Sequence, residues 1–515
     1  MPKKAVLYPS LIFALFLGIC FVAFPGKMST ATETASSWIK TKTGWLYLIF
    51  GVAAFFYAVW LSFGKYGSVR LGEPNERPEF STPHWVAMMF TAGIGAGLVT
   101  WAFGEPIYYI QSPPFGIEPM STTAYEWAHL YPFIHWGFVP WAFYAVAAVP
   151  IAYSLYIVKR PFLRISESCE EVLPETGKPF FKNAIDVLII MGIIAGTTTS
   201  LGIGVPLLSA LIAELTGIED SFLIKMSVLI VWVLIFGTST VRGLKRGIQK
   251  LADLNMILAG FLMAILLVIG PTLFILNMTT NSLGIMLNDF FRIVLWTDPI
   301  DQSTFPRDWT IFYWAWWLAF AAFVGLFIAR ISRGRTIRQV CLGTIIWGSL
   351  GTLSYLAIAG GYALHLQFEE ILPLTEIMAA NEPNGLSVMT AKIAANMPFG
   401  KVSLIFFMVL CTVFYATTMD SAAYIAAGVS SEEFDVKQDP SLALRFTWIG
   451  ILFLMTVGTV LTDNLKIVMD ITVIGSLPIL PIIVLMCWSL NRQLKRDFGD
   501  VKKPPGKRPL KGLYM

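Results

Sequence analysis

Apolar runs of about 20 residues recur along this whole chain. No feature constrains the fold more. A bilayer core offers no water to unpaired backbone groups, so a spanning segment of this kind must close its hydrogen bonds within itself, as an α-helix. The rest of the sequence agrees: 56% of residues are hydrophobic and only 14% charged, with a mean hydropathy of +0.67, where soluble domains carry about 25% charged residues. The expected spans are 6–24, 45–63, 85–110, 129–156, 184–213, 222–239, 251–275, 309–329, 340–364, 402–428, 445–461 and 466–489. The predicted fold is an all-α membrane protein with twelve transmembrane helices in one domain, residues 1–515.

The first span follows Lys3 and Lys4 as a signal peptide would, but no small-residue cleavage site follows it, so it reads as a retained helix. The five cysteines, Cys20, Cys169, Cys341, Cys411 and Cys487, have no metal-ligand spacing and read as small apolar residues. Most of the 37 lysines and arginines fall in alternate loops and in the two ends. The positive-inside rule then puts both termini in the cytoplasm. The basic tail, 490–515, starts directly after a membrane helix, so its expected partner is anionic lipid and not nucleic acid.

Two helices and a charged loop (1–84) precede two sets of five, 85–275 and 309–489. An odd number of helices per set gives the sets opposite orientations, the arithmetic of an inverted repeat with a site at the midplane. An unrelated helix count fits as well. Between the sets, within the connector 276–308, residues 283–296 have amphipathic helical spacing and are expected to lie flat on the outer surface. The other long outer segment, 367–400, reads as a helical lid or loop.

Asp308-Trp309-Thr310-Ile311-Phe312-Tyr313-Trp314-Ala315-Trp316-Trp317 places four tryptophans and a tyrosine in ten residues. Tryptophan faces are the preferred partners of a desolvated organic cation. An interfacial aromatic belt explains one or two of these residues, and explains Trp316 and Trp317, about two turns into the helix, less well. Trp316, Phe320 and Phe323 make one stripe. In the fourth span Trp141 and Tyr144 share a face, and a bend at Pro140 would bring Trp136 towards them. His135 beside them is a lone histidine and reads as structural.

Gly93, Gly95 and Gly97 alternate in the third span. Helix packing would keep glycines on one face. This spacing does not, and an unwound segment lining a cavity is the better account. Glu105 precedes Pro106 on the same span. An intramembrane acid is a functional candidate, and the alternative places it near the outer interface or accepting backbone N–H groups at the proline. In the tenth span Thr417 and Thr418 offer two hydroxyls suited to a hard cation, unless both bond their own backbone four residues back. Asp420 lies deep enough to need a partner, a cytoplasmic arginine or a gate. Ala329–Arg338 carries four arginines and reads as a cytoplasmic anchor.

These stretches together resemble the betaine/carnitine/choline transporter family, from about residue 45 to 489. The resemblance implies a LeuT-type inverted repeat of two five-helix units after two extra helices, often a homotrimer, and an onium substrate held in an aromatic box. By position, Trp136, Trp141 and Tyr144 match one wall and Trp316, Trp317 and Phe320 the other, Phe320 standing where relatives carry Trp or Tyr. Tyr108 matches a further cage residue of the carnitine exchangers, and Trp309 an outer, secondary position. For one Na⁺ site the resemblance implies Thr417 and Thr418 with the carbonyls of Thr91, Ile94 and Phe414. For a second it implies Thr197 and Phe323, with Ile193 replacing a hydroxyl residue. The exchangers fill the first space with methionine and arginine, where this chain has Val324 and Gln249. The expectation is a secondary transporter of the plasma membrane (a bacterial inner membrane) that imports glycine betaine, carnitine, choline or similar by Na⁺ symport. It has no cofactor and is not an enzyme. The alternative is Na⁺-independent substrate/product exchange, and a membrane enzyme or a channel is disfavoured for want of a nucleophile motif or a continuous polar pathway.

Overall fold

A computed structural model describes residues 2–94, 97–160, 162, 164–242, 249–433 and 439–499. The helices in chain order are α1 Lys4–Ala23, α2 Pro25–Phe63, α3 Thr82–Ile94, α4 Gly97–Gln111, α5 Thr122–Trp136, α6 Phe138–Tyr156, α7 Ile165–Ser168, α8 Lys178–Thr216, α9 Phe222–Arg242, α10 Gln249–Ile269, α11 Thr272–Val294, α12 Ile311–Ile331, α13 Ile337–Phe368, α14 Leu374–Ala380, α15 Gly385–Ala395, α16 Lys401–Val429, α17 Leu442–Thr462, α18 Leu465–Ser476 and α19 Ile479–Phe498. Among the described residues, β-pairing is limited to two isolated bridges. Among the described residues nine helices, several of them spanning a short break, are long and apolar enough to cross a membrane, as are two bent pairs, α3 with α4 and α10 with α11, when each is taken as one span. The chain is a multi-pass membrane protein.

Several predicted spans are broken, each for a local reason. α3 and α4 meet at 64° across the glycine-rich stretch, the interruption its spacing predicts. Gly95 itself lies outside the described residues, as do the basic tail beyond residue 499 and the loop bearing Lys245 and Arg246. The fourth span breaks at Gly137, with φ −96° and ψ −137°, and not at Pro140. Pro140 falls in the first turn of α6, where a missing N–H costs nothing. The seventh span ends at Ile269, because Gly270 and Pro271 cannot continue it. Beyond them α11 turns through 106°, so the amphipathic helix starts earlier than its sequence pattern suggested. The segment 367–400 contains the two short helices α14 and α15.

α12 is the central helix. Every residue from Ile311 to Ala329 is buried, and the helix packs on α6, α8, α18 and α3. The arginines after it do more than anchor. Leu71 N–H donates to the Arg335 carbonyl, and Gly334 N–H donates to that of Leu71, both at 2.8 Å. The Arg335 guanidinium stands 4.5 Å from the Trp85 ring centroid, and Arg333 pairs with Glu76 at 2.6 Å. Gly334 has φ +80°, and a Cβ there would lie 2.3 Å from the Arg77 carbonyl oxygen, so this crossing of two loops needs glycine. Asp420 finds the arginine its depth requires, Arg445, at 3.5 Å.

Candidate functional site

Where the break between α3 and α4 meets α5, α6, α8 and α12, a cavity with about 260 Å³ of non-atom space is lined by Gly93, Trp136, Tyr144, Ser200, Trp316, Trp317 and Phe320. Five of the six expected box residues therefore share one space. Trp136 is the last residue of α5. The Gly137 break, and not a bend within one helix, brings it beside the face formed by Trp141 and Tyr144. Its ring meets Trp316 at 5.9 Å and Trp317 at 5.7 Å, edge to face in both cases. Tyr144 and Trp317 lie 4.8 Å apart at 42°.

Trp141 supports this box from behind. It stacks on Phe90 at 6.2 Å, contacts Trp317 at 5.5 Å, and donates its Nε1–H to Thr352 Oγ1 at 3.3 Å. Small residues admit these rings. A Cβ at Gly93 would lie 2.8 Å from the Trp141 ring, one at Gly97 2.2 Å from the Trp316 ring, and one at Gly196 2.7 Å from the Phe320 ring. The Tyr144 hydroxyl donates to the Gly93 carbonyl at 2.8 Å, pairing an acceptor at the helix break.

Tyr108 and Trp309 lie elsewhere. Their rings are 5.3 Å apart, and Trp309 also meets Trp101 at 5.6 Å and Tyr109 at 4.9 Å. Tyr108 is thus grouped with Trp309 and not with the cavity. Trp314 does not line the cavity. It is fully buried, and a Cβ at Gly51 on α2 would lie 2.0 Å from its Nε1.

Glu105 is fully buried within the protein, and its partners are side chains rather than backbone N–H groups. It accepts from Trp136 Nε1 at 2.5 Å and from the Tyr109 hydroxyl at 2.8 Å. His135 Nδ1 is 3.2 Å from the same carboxylate, and His135 Nε2 is 3.1 Å from Thr310 Oγ1. The lone histidine is thus a link between α5 and the start of α12. Sequence reasoning singled out Glu105 but not its tie to Trp136. It missed Ser200 altogether, although Thr197-Thr198-Thr199-Ser200 is a run of four hydroxyls inside an apolar helix.

The cation candidates divide. The Thr417 and Thr418 hydroxyls donate to the carbonyls of Val413 at 2.7 Å and Phe414 at 3.1 Å, four residues back. Asn255 Nδ2 donates to Thr417 Oγ1 at 3.1 Å. Thr91 bonds the Ala87 carbonyl at 2.8 Å on α3, the helix that ends at Ile94 and packs on α16. The Thr197 hydroxyl is buried without a hydrogen-bond partner, on an α8 that packs against α12, the helix of Phe323. Val324 is buried, and the Gln249 side chain lies outside the described residues. Among the described residues no group of three His, Cys, Asp or Glu side chains could hold a metal.

The chain matches the family model described as betaine/carnitine/choline family transporter over residues 5–499. It is 32% identical over 485 residues to the glycine betaine transporter OpuD of Bacillus subtilis, a match covering 94% of this chain and 92% of that protein.

Proposed function

Because the chain belongs to the betaine/carnitine/choline family of transporters, we propose that it imports a quaternary ammonium compound, glycine betaine foremost, by Na⁺ symport. The observation that carries this is the cavity walled by Trp136, Tyr144, Trp316, Trp317 and Phe320 with no charged side chain in its lining. A trimethylammonium group cannot donate a hydrogen bond, so it gains most from aromatic faces out of water, about 2 kcal/mol or more per desolvated contact. A carboxylate at the other end of the substrate suits the start of α4 at Gly97, beside Trp316, where a helix N-terminus offers unpaired N–H groups and positive potential. Trp316 Nε1 and Ser200 Oγ, both buried and unpartnered, are further donors within reach of the same region.

For the coupling ion, the proposed ligands are the Thr417 and Thr418 hydroxyls with the carbonyls of Thr91, Ile94 and Phe414. A hydroxyl that donates to its own backbone keeps its oxygen lone pairs for a cation. Thr197 and the region of Phe323 are proposed as a second site, supported by the orphaned Thr197 hydroxyl. Na⁺-independent exchange is the second reading, and Asn255 favours it: an amide donor already occupies Thr417 Oγ1. In keeping with the family resemblance, we read the helices as twelve spans in a LeuT-type inverted repeat with cytoplasmic termini in the plasma membrane. A homotrimer is part of the same reading, supported by the exposed Leu283, Leu287 and Phe291 along α11.

The test is uptake of labelled glycine betaine, carnitine and choline into proteoliposomes with and without an inward Na⁺ gradient. The expected result is betaine uptake that needs the gradient. Uptake indifferent to Na⁺ but dependent on internal substrate establishes exchange instead, and no uptake of any onium compound refutes the reading.

A further inference from the structure

Most carboxylates buried in the long helices meet a fixed cation. Asp186 lies 3.0 Å from Lys3, Asp420 3.5 Å from Arg445 and Asp470 2.7 Å from Lys40. Glu105 does not. Among the described residues its only partner of the ion-pair kind is His135 at 3.2 Å, and its other donors are the neutral Trp136 and Tyr109. An uncompensated buried carboxylate is costly, so its position directly behind one wall of the cavity calls for a functional account.

We propose that Glu105 is a positioning and affinity-determining residue for the onium site and that it acts through Trp136. This rests on the reading that the aromatic cavity holds the onium group. The indole Nε1–H lies in the ring plane, so its bond to the Glu105 carboxylate at 2.5 Å leaves the ring face free for the cavity. The attraction of a cation to an aromatic face is electrostatic. A charge-assisted bond from the ring to a carboxylate pushes electron density into the indole and strengthens that face. It also fixes the ring's rotation. The onium cation, once bound one ring away in a water-poor site where charges interact strongly, supplies the counter-charge that no lysine or arginine provides. Tyr109 and His135 hold the carboxylate from the other side. His135 carries the connection on to Thr310, so the same group also ties α4 and α5 to the start of α12.

The experiment is a double-mutant cycle on the full-length protein in detergent. Glycine betaine affinity is measured by calorimetry for wild type, Glu105→Gln, Trp136→Phe and the double variant, with thermal melting as the fold control. Glutamine keeps an acceptor for the indole and removes the charge. The expected result is a loss of about five- to thirtyfold for Glu105→Gln, shrinking to less than about twofold in the Trp136→Phe background. Wild-type affinity in Glu105→Gln, or an equal loss in both backgrounds, overturns the proposal. If Glu105→Gln does not fold, Trp136→Phe alone still decides. It is compared for glycine betaine and its carbon isostere 3,3-dimethylbutanoate, which keeps the carboxylate and lacks the cationic nitrogen, competed against labelled betaine. Preferential loss of glycine betaine supports the proposal, and equal loss or unchanged affinity for both overturns it. A wild-type protein that binds no onium compound at all refutes the functional reading itself, a result distinct from any of these.

Discussion

Gly97→Ala isolates the geometry of the cavity wall with a single methyl group. A Cβ at residue 97 would lie 2.2 Å from Cη2 of Trp316, with Cζ2 and Cζ3 at 3.0 and 3.1 Å. Ordinary contact begins near 3.4 Å, so the ring must retreat by about 1.2 Å, the difference of those distances. Trp316 lines the cavity, and a retreat of that size takes its face out of register with a bound cation. Losing one desolvated cation–π contact costs about 2 kcal/mol, or about thirtyfold in affinity. Stability moves less. Overpacking costs about 1–3 kcal/mol, and alanine recovers about 1 kcal/mol over glycine within a helix. The assay measures KM for betaine uptake together with the melting temperature. Gly51→Ala is the control, since its Cβ would lie 2.0 Å from Nε1 of Trp314, a ring outside the cavity lining. It should lower the melting temperature and leave KM alone. Gly97→Ala transporting with wild-type KM, or both variants raising KM equally, refutes the assignment of Trp316 to the binding wall.

Thr418→Val keeps the shape of the side chain and removes the hydroxyl. Under symport it should raise the Na⁺ concentration for half-maximal uptake at least tenfold, an estimate of about 1.4 kcal/mol for one lost oxygen ligand, while equal Na⁺ curves for variant and wild type count against the site. Asp470→Ala takes from the buried Lys40 its close partner, Asp470 Oδ1 at 2.7 Å, leaving the half-exposed Asp308 at 4.0 Å, and also removes the acceptor of Ser36 at 2.6 Å. Breaking such a pair costs about 3–5 kcal/mol, so the melting temperature in detergent should fall sharply, with Lys40→Met added to Asp470→Leu recovering most of the loss; an unmoved transition in Asp470→Ala shows the pair to be structurally idle.

The helices were legible because the bilayer imposes one secondary structure on every long apolar run. What the pattern could not show was where runs break. Gly137 interrupts the fourth span, and only a non-helical dihedral there places Trp136 in the cavity. Periodicity assumes a continuous helix, so Trp136 counted as off the face of Trp141 and Tyr144. Likewise Trp314 sits two residues from a cavity residue and looks the same in sequence, yet it packs on α2, because successive positions on a helix face different neighbours. Glu105 and His135 were visible as intramembrane polar groups. Their partners were not, since Trp136 and Thr310 belong to other helices, 31 and 175 residues away from their respective partners.

The alternating glycines carry the deeper lesson. Gly93 makes room for Trp141 and Tyr144, Gly97 for Trp316, and on other helices Gly196 admits Phe320 and Gly348 admits Trp141. The two glycines flanking the break, Gly93 and Gly97, face different rings, so they form no stripe, and the face-counting that identifies helix–helix packing returns nothing. The break in the helix and the close approach of the rings are one arrangement. The same missing Cβ atoms that weaken the helix let bulky faces converge from α5, α6 and α12 on the interrupted backbone. An aromatic cavity deep in a membrane protein therefore needs its glycines on the helix opposite the rings, and the two must be read as a pair: a tryptophan cluster in one half of such a chain carries weight when the other half supplies glycines at a spacing that helix packing does not explain.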